Sequence, residues 1–415
     1  MKILTFSTLF PNAVRPAHGV FVENRLRHLL AAGGVEATVV APVPWFPSTA
    51  PMFGEYAAYA AAPRFETRHG VAVHHPRYPV LPKIGMTVAP RLLYYAARRA
   101  IARLIAGGLD FDLIDAHYFY PDGVAAVALG RAFDKPVVIT ARGTDLNLIA
   151  DFPGPRRQIV AAAAEADGLI TVARALKDKL VELGTAPDRV AVLRNGVDLS
   201  LFRPPADRAA DRERLGLTGP ALQGKVLLSV GHLIERKGHD LAIAALEALP
   251  DAMLLIAGTG PLDGALRRQA AQLGVAGRVR FLGQVAHEDL PAVYGAADAL
   301  VLASSREGWA NVLLEAMACG TPAVASDVWG TGEIVAEPAA GVLMATRSPE
   351  ALSAAVGRLF AALPDRAETR AYAERFSWDA TTAGQLRLFE RVLGTGARAG
   401  LAATEESLTG DRRTD

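Results

Sequence analysis

Short β-branched apolar runs alternate along the chain with longer Ala- and Leu-rich stretches whose apolar positions recur at helical spacing, the pattern of parallel α/β layers. The first half predicts strands over 2–6, 37–41, 71–74, 113–116, 136–140, 168–171 and 190–193. The second half starts afresh with 226–230, 253–257, 279–282, 299–302, 322–325 and 341–343. Two doubly wound, Rossmann-like α/β domains follow, with a proline-containing polar linker from Phe202 and a boundary near Pro204. The predicted organisation is a first domain over 1–203, a second over 204–377, a helix over 378–393 and a tail over 394–415, where apolar periodicity fades.

Composition narrows the class. The 415 residues suffice for two or three cores, and 44 Lys and Arg nearly cancel 43 Asp and Glu. A net charge of +1 argues against a dedicated nucleic-acid binder, which carries a basic excess. Cys319 is the single cysteine, so neither an internal disulfide nor a cysteine zinc site can form. The N-terminus lacks the pattern of a signal peptide, and the uncharged stretch 37–54 is interrupted by Pro42, Pro44, Pro47 and Pro51. The expectation is a cytoplasmic protein. Between Tyr56 and Leu109 eight Lys or Arg face the single acid Glu66. The helix predicted from Arg91 has a basic and an apolar side. It either touches an anionic membrane at the inner face or packs on a sheet with solvated arginines.

In open α/β sheets ligands sit outside the carboxyl ends of strands, and the informative loops lie there. Gly231 to Gly238 contains His232, Arg236 and Lys237; Gly258-Thr-Gly-Pro261 follows the next strand; Ala303 to Pro322 follows a third. The apolar run from Val312 predicts a helix starting near Ala310 or Asn311 and ended by Gly320 and Pro322. Its free N–H groups with Arg236 and Lys237 suit a diphosphate. Glu307 and Glu315 stand eight residues apart. On one helix that is about 12 Å, too far for a glycosidase carboxylate pair, so each has its own role. Glu307 can reach a sugar. Glu315 either accepts from a ribose diol or sits in a salt-bridged helix face, and its apolar neighbours indicate burial with a partner.

Glu307 to Glu315 with the following Ala-Met-Ala-Cys-Gly-Thr-Pro resembles the E-x7-E motif of retaining GT-B glycosyltransferases of family 4. The resemblance continues in Leu193-Arg-Asn-Gly-Val-Asp198, Gly231 to Gly238, Ile256 to Pro261 and Phe281-Leu-Gly283, and covers most of the chain. It implies two Rossmann-like domains facing a cleft, a nucleotide-diphosphate sugar held by the C-terminal domain, an acceptor held by the N-terminal one, and retention of anomeric configuration. By the same resemblance Glu307 contacts the sugar and Glu315 the ribose. Lys237 with Arg236 holds the diphosphate, to which Gly308, Trp309, Ala310, Asn311 and Val312 offer backbone donors. Gly258 and Val285 border the base, and Gly19 brings a backbone close to the diphosphate.

Three positions depart from the family's pattern. His232 replaces a frequent arginine, Ala310 a frequent proline, and Arg142 a histidine that contacts the sugar in many relatives. Arginine is no base near neutral pH, so Arg142 would stabilise the leaving phosphate or position the sugar. Asp145 either orients a reacting group or caps the turn after it, and His117 either borders the acceptor or is structural. Asp110-Phe-Asp112 spells a metal-binding pattern on the side away from the cleft, and no metal or other cofactor is expected. The implied partners are a UDP- or GDP-sugar and a glycan or lipid-linked acceptor of bacterial exopolysaccharide or lipopolysaccharide synthesis. An epimerase, a phosphorylase and a silent sugar-binding subunit are the alternatives on the same fold.

Overall fold

The computed structural model describes residues 1–80, 85–217 and 224–409, with backbone alone for Glu55 and for 395–409. The chain forms two compact units, one of residues 1–193 with 379–415 and one of residues 194–378.

In the first unit the strands are β1 (Lys2–Phe6), β2 (Glu36–Val40), β3 (Val43–Pro44), β4 (Phe65–Arg68), β5 (Val71–His74), β6 (Arg77–Tyr78), β7 (Leu113–His117), β8 (Val137–Ala141), β9 (Gly168–Thr171) and β10 (Val190–Val192). Eight of them make one sheet in the order β10-β9-β8-β7-β1-β2-β5-β4, while β3 and β6 pair separately. Within that sheet β4 alone runs antiparallel to its neighbour. Strands β7, β8 and β9 are buried throughout, as a parallel sheet covered on both faces requires. The edge strand β4 reads Phe-Glu-Thr-Arg with exposed and half-buried positions, and this polar edge pattern is why the apolar runs did not predict it.

In the second unit β11 (Lys225–Val230), β12 (Ala252–Ala257), β13 (Val279–Gly283), β14 (Ala299–Leu302), β15 (Ala323–Ser326) and β16 (Gly341–Met344) form a parallel sheet in the order β13-β12-β11-β14-β15-β16. Its core joins Leu227, Leu254, Ile256 and Val301 to Ile243, Leu266, Leu352 and Leu359 from the flanking helices.

The division falls at Leu193, upstream of the expected linker. The reason is local packing. Trp309 Nε1–H donates to Asn195 O (3.1 Å), Val197 N–H to Phe376 O (3.0 Å) and Asn195 Nδ2 to Asn311 Oδ1 (3.3 Å), which seats the Arg194–Asp198 motif inside the second unit. The last helix, Trp378–Thr409, places Leu388, Phe389 and Val392 in the first unit's core with Ile3, Val39, Leu113 and Val138. It continues past Gly394, where the sequence predicts a tail; residues 410–415 of that tail lie outside the described residues.

Both sheets reverse their direction of growth once. In the first unit the chain proceeds from β1 outward to β2 and then from β7 outward to β8; in the second it proceeds from β11 to β12 and then from β14 to β15. Neighbouring loops diverge at such a point and leave a crevice at the carboxyl ends of the two central strands. The β1/β7 and β11/β14 ends are therefore where each unit can hold a ligand.

Candidate functional site

At the β11/β14 point the loop after β11 ends at Gly238, whose φ is 70°. A Cβ there would run into the main chain of Ala303, so only glycine lets the two loops close on each other. Ser305 N–H donates to Arg236 O (2.8 Å) and fastens them. Gly258 solves the same problem against the carbonyl of Gly231, and its own N–H reaches Gly283 O (2.7 Å).

This backbone brings Glu307 to both expected cations. Its Oε1 accepts from Lys237 Nζ (2.7 Å) and Ser304 Oγ (2.7 Å), and its Oε2 from Arg236 Nη1 (3.4 Å), which also donates to Arg306 O (2.9 Å). The carboxylate is buried, and burial pushes it up. The adjacent Lys237 and Arg236 charges outweigh that, and it lies below its ordinary value, ionised at neutral pH. The helix Asn311–Ala318 begins just beyond. Asn311 N–H turns back to Trp309 O (3.1 Å), so of the five expected backbone donors at least Asn311 is engaged within the chain. The Trp309 side chain is buried on Asn195, with Arg194 over its ring (5.7 Å), and serves the packing of this loop.

Glu315 is half-buried and accepts from Tyr294 Oη (2.7 Å); burial pushes its carboxyl up, with the Tyr294 hydrogen bond acting against it. The partner required for this carboxylate is thus a phenol of the preceding helix. His232 is exposed, Val285 is half-buried in the connection after β13, and Ala310 and Val312 flank the helix start. Cys319 is buried at the end of the same helix, and burial pushes its thiol up to about 12.

At the β1/β7 point His117, Arg142 and Asp145 do come together. Arg142 Nη2 donates to His117 Nδ1 (2.6 Å), and the opposite nitrogen, Nε2, contacts Asp115 Oδ2 (3.0 Å). A guanidinium can only donate, so Nδ1 is the acceptor and the ring carries its proton on Nε2. Burial pushes His117 down to about 4; Asp115 opposes the shift and Arg142 adds to it, so the imidazole is neutral at neutral pH. Both nitrogens are occupied, and His117 is placed to orient Arg142 rather than to take a proton. Burial and the like charge of Arg25 pull the Arg142 guanidinium well below its usual range. Asp145 does not cap the turn after it. Its carboxylate accepts from Phe119 N (2.6 Å), Arg142 N (3.0 Å) and Gly143 N (2.7 Å), and it ties the β7 and β8 loops together. Gly19, with φ 72°, opens the helix Val20–Ala31, and the backbone it must approach is that of Leu9.

Sequence reasoning missed several members of these clusters. Asp122 lies in the connection after β7 and is buried, accepting from Thr8 N (2.6 Å) and Thr8 Oγ1 (2.9 Å); burial pushes its carboxyl up to about 8. Arg25 is buried on the same helix face as Val22 and Leu29, and a charge in an apolar stripe was the readable signal. It donates to Gln385 Oε1 (2.8 Å), whose Nε2 donates to Asp115 Oδ2 (3.1 Å). Ser304 and Tyr294 carried no signal beyond their proximity to motifs. Asp112 accepts from Lys2 N–H (2.7 Å), a structural use of the Asp110-Phe-Asp112 pattern. Among the described residues no group of three His, Cys, Asp or Glu is arranged to hold a metal ion, and no helix is long and apolar enough to cross a membrane.

The profile for Glycosyl transferases group 1 matches residues 217–376, and that for Glycosyltransferase Family 4 matches residues 19–201. The D-inositol 3-phosphate glycosyltransferase of Salinispora arenicola is 35% identical over 341 residues, 74% of each chain. The putative teichuronic acid biosynthesis glycosyltransferase TuaC of Bacillus subtilis is 28% identical over 362 residues, 86% of this chain and 89% of its own. Among solved structures the Anabaena protein HepE in complex with UDP-glucose has a TM-score of 0.69 at 20% identity, covering 94–96% of this chain across its structures and 96% in that complex, with 100% of its own length.

Proposed function

The chain belongs to the group 1 glycosyl transferases of family 4 and has their GT-B fold, and on that premise we propose that it is a retaining, metal-independent hexosyltransferase using a nucleotide-diphosphate sugar. The observation that carries this reading is the buried Glu307 held at 2.7 Å by Lys237 and at 3.4 Å by Arg236, at the carboxyl ends of β11 and β14. Two cations compensated by one carboxylate leave a positive surplus for a diphosphate, and an ammonium with three donors can keep Glu307 while binding phosphate. Glu307 then receives hydroxyl groups of the sugar.

The sugar C1–oxygen bond to the diphosphate breaks, and a bond from C1 to the acceptor oxygen forms on the same face. The acceptor's proton passes to the departing phosphate oxygen, which needs no basic side chain. Lys237 and Arg236 stabilise the charge that grows on that phosphate and do the work a divalent cation does elsewhere. Glu315, with its lone pair oriented by Tyr294, is suited to the ribose hydroxyls. In the first unit Arg142, oriented by His117, is a fixed charge at the carboxyl ends of β7 and β8.

UDP is the favoured nucleotide, since HepE holds UDP-glucose on a similar fold. A glycan or lipid-linked acceptor of bacterial surface polysaccharide synthesis is the favoured acceptor, supported by the name of the TuaC relative and by the basic exposed face of the helix Ala89–Ala106, which suits an anionic membrane. Calorimetric titration with UDP- and GDP-sugars tests the donor: binding that falls severalfold in Lys237→Ala supports the assignment, and equal affinity refutes it. Product anomers read by NMR then test retention.

A further inference from the structure

Outside both strand-end clusters the first unit carries a cavity of ≈ 670 Å³ lined by Arg64, His74, Arg77, Tyr95, Arg99 and Arg103. One wall is the helix Ala89–Ala106. It contributes Leu92, Tyr95, Ala96, Arg99, Ala100, Arg103 and Leu104, the three- and four-residue steps of a single face, and Arg99 and Arg103 stand one turn apart on it. The other wall is Arg64, just before β4, with His74 to Arg77 and Pro79 from the end of β5 to just past β6.

Four arginines converge here with no counter-charge. Among the described residues no carboxylate lies within 4.0 Å of Arg64, Arg77, Arg99 or Arg103, whereas Arg68 of β4 is paired with Glu23 at 2.6 Å. The nearby acid Glu66 is engaged by His75, accepting from its Nε2 (2.8 Å). Arg77 donates one guanidinium nitrogen to Ala62 O, while its Nη1 is buried without a hydrogen-bond partner. Burial and the charge of Arg64 pull the Arg77 guanidinium below its usual value, the mark of like charges held close. Such a cluster costs free energy in the empty protein and is repaid by an anion.

We propose that this cavity is a binding site for a phosphate-type dianion, a diphosphate or a phosphorylated headgroup, separate from the donor cations of the second unit. Planar guanidinium forks match the oxygens of phosphate, and four of them select a doubly charged group over a single carboxylate. Leu92, Leu104 and Pro79 give the cavity an apolar rim for whatever carries the phosphate. The proposal does not rest on the transfer reaction.

The full chain bearing Lys237→Ala, which weakens the donor site, is titrated with inorganic pyrophosphate at about 0.15 M salt, where distant charges are screened. The same protein is floated with phosphatidylcholine vesicles with and without phosphatidic acid, whose phosphomonoester can carry two charges. Saturable pyrophosphate binding that weakens at least tenfold in Arg99→Ala/Arg103→Ala, two exposed positions that leave the core untouched, is the expected result for a soluble source. Binding only to phosphatidic acid vesicles, lost in the same variant and in Arg77→Met, assigns the site to a lipid headgroup. Absence of binding to both probes, or binding that ignores all three arginines, overturns the proposal. UDP binding by the arginine variants with Lys237 intact is measured beside it, so that a failure of this site leaves the transferase reading separately tested.

Discussion

Replacing Lys237 with Met keeps the length and apolar body of the side chain and removes the charge 2.7 Å from Glu307. The two side chains are 13% and 8% exposed, so this is a buried pair rather than a screened surface one. Breaking such a pair costs ~3–5 kcal/mol because a charge is left uncompensated. Here Ser304 at 2.7 Å and Arg236 at 3.4 Å remain, which favours the lower end, about 3 kcal/mol. In the parent the carboxyl lies below its ordinary value, so its contribution is present above the unfolded pKa of about 4.3 and is lost as pH falls through the lower folded value. In the variant burial persists while the opposing ammonium is gone, so the folded value moves up. The stability deficit should therefore grow as pH rises from about 4 toward 8 and be smaller near pH 5. Urea unfolding of Lys237→Met, Glu307→Gln and the double variant at both pH values reads this. A coupling of about 1–3 kcal/mol near pH 8 is expected. Coupling below about 0.5 kcal/mol, or equal deficits at both pH values, would refute the electrostatic reading of the cluster.

Glu307→Gln keeps the volume and the hydrogen bond from Ser304 but withdraws the charge, and is expected to lower transfer by about 100-fold or more while the donor nucleotide still binds; unaltered turnover in purified protein would remove Glu307 from the site. Because burial pushes His117 down to about 4, the rate should show no ionisation of this ring between about pH 5.5 and 8. A break near 6.5 that disappears in His117→Gln would contradict the assigned tautomer. Gly258→Ala forces a side chain at φ 148° into the Gly231 carbonyl and should cost about 2 kcal/mol or more, seen as a fall in Tm of several degrees. An unchanged Tm would mean that the loop moves aside freely.

How legible the protein was in its sequence varies by level. The parallel strands β1, β7, β9, β11 and β14 could be read as apolar runs because strands buried on both faces need no polar alternation. The loop glycines could be read too, since a charged loop between a strand end and a helix has few other uses for them. The edge strand β4 and the short pair β3 and β6 escaped, having neither length nor an apolar run. The linker was misplaced because a Pro-rich polar stretch looks flexible, whereas Asn195 and Val197 are fixed by hydrogen bonds to Trp309 and Phe376 that are distant in sequence.

By itself the sequence determined the two doubly wound layers, the positions of the chemical loops and the family. Only the tertiary structure decided which side chains share a charge. Glu307 meets Lys237 because β14 lies beside β11, and Arg25 meets Asp115 through Gln385 because the last helix enters the first core. Strand order and helix return are set by burial summed over many apolar residues, whereas a pairing of charges depends on distances of a few ångströms that no periodicity along the chain encodes.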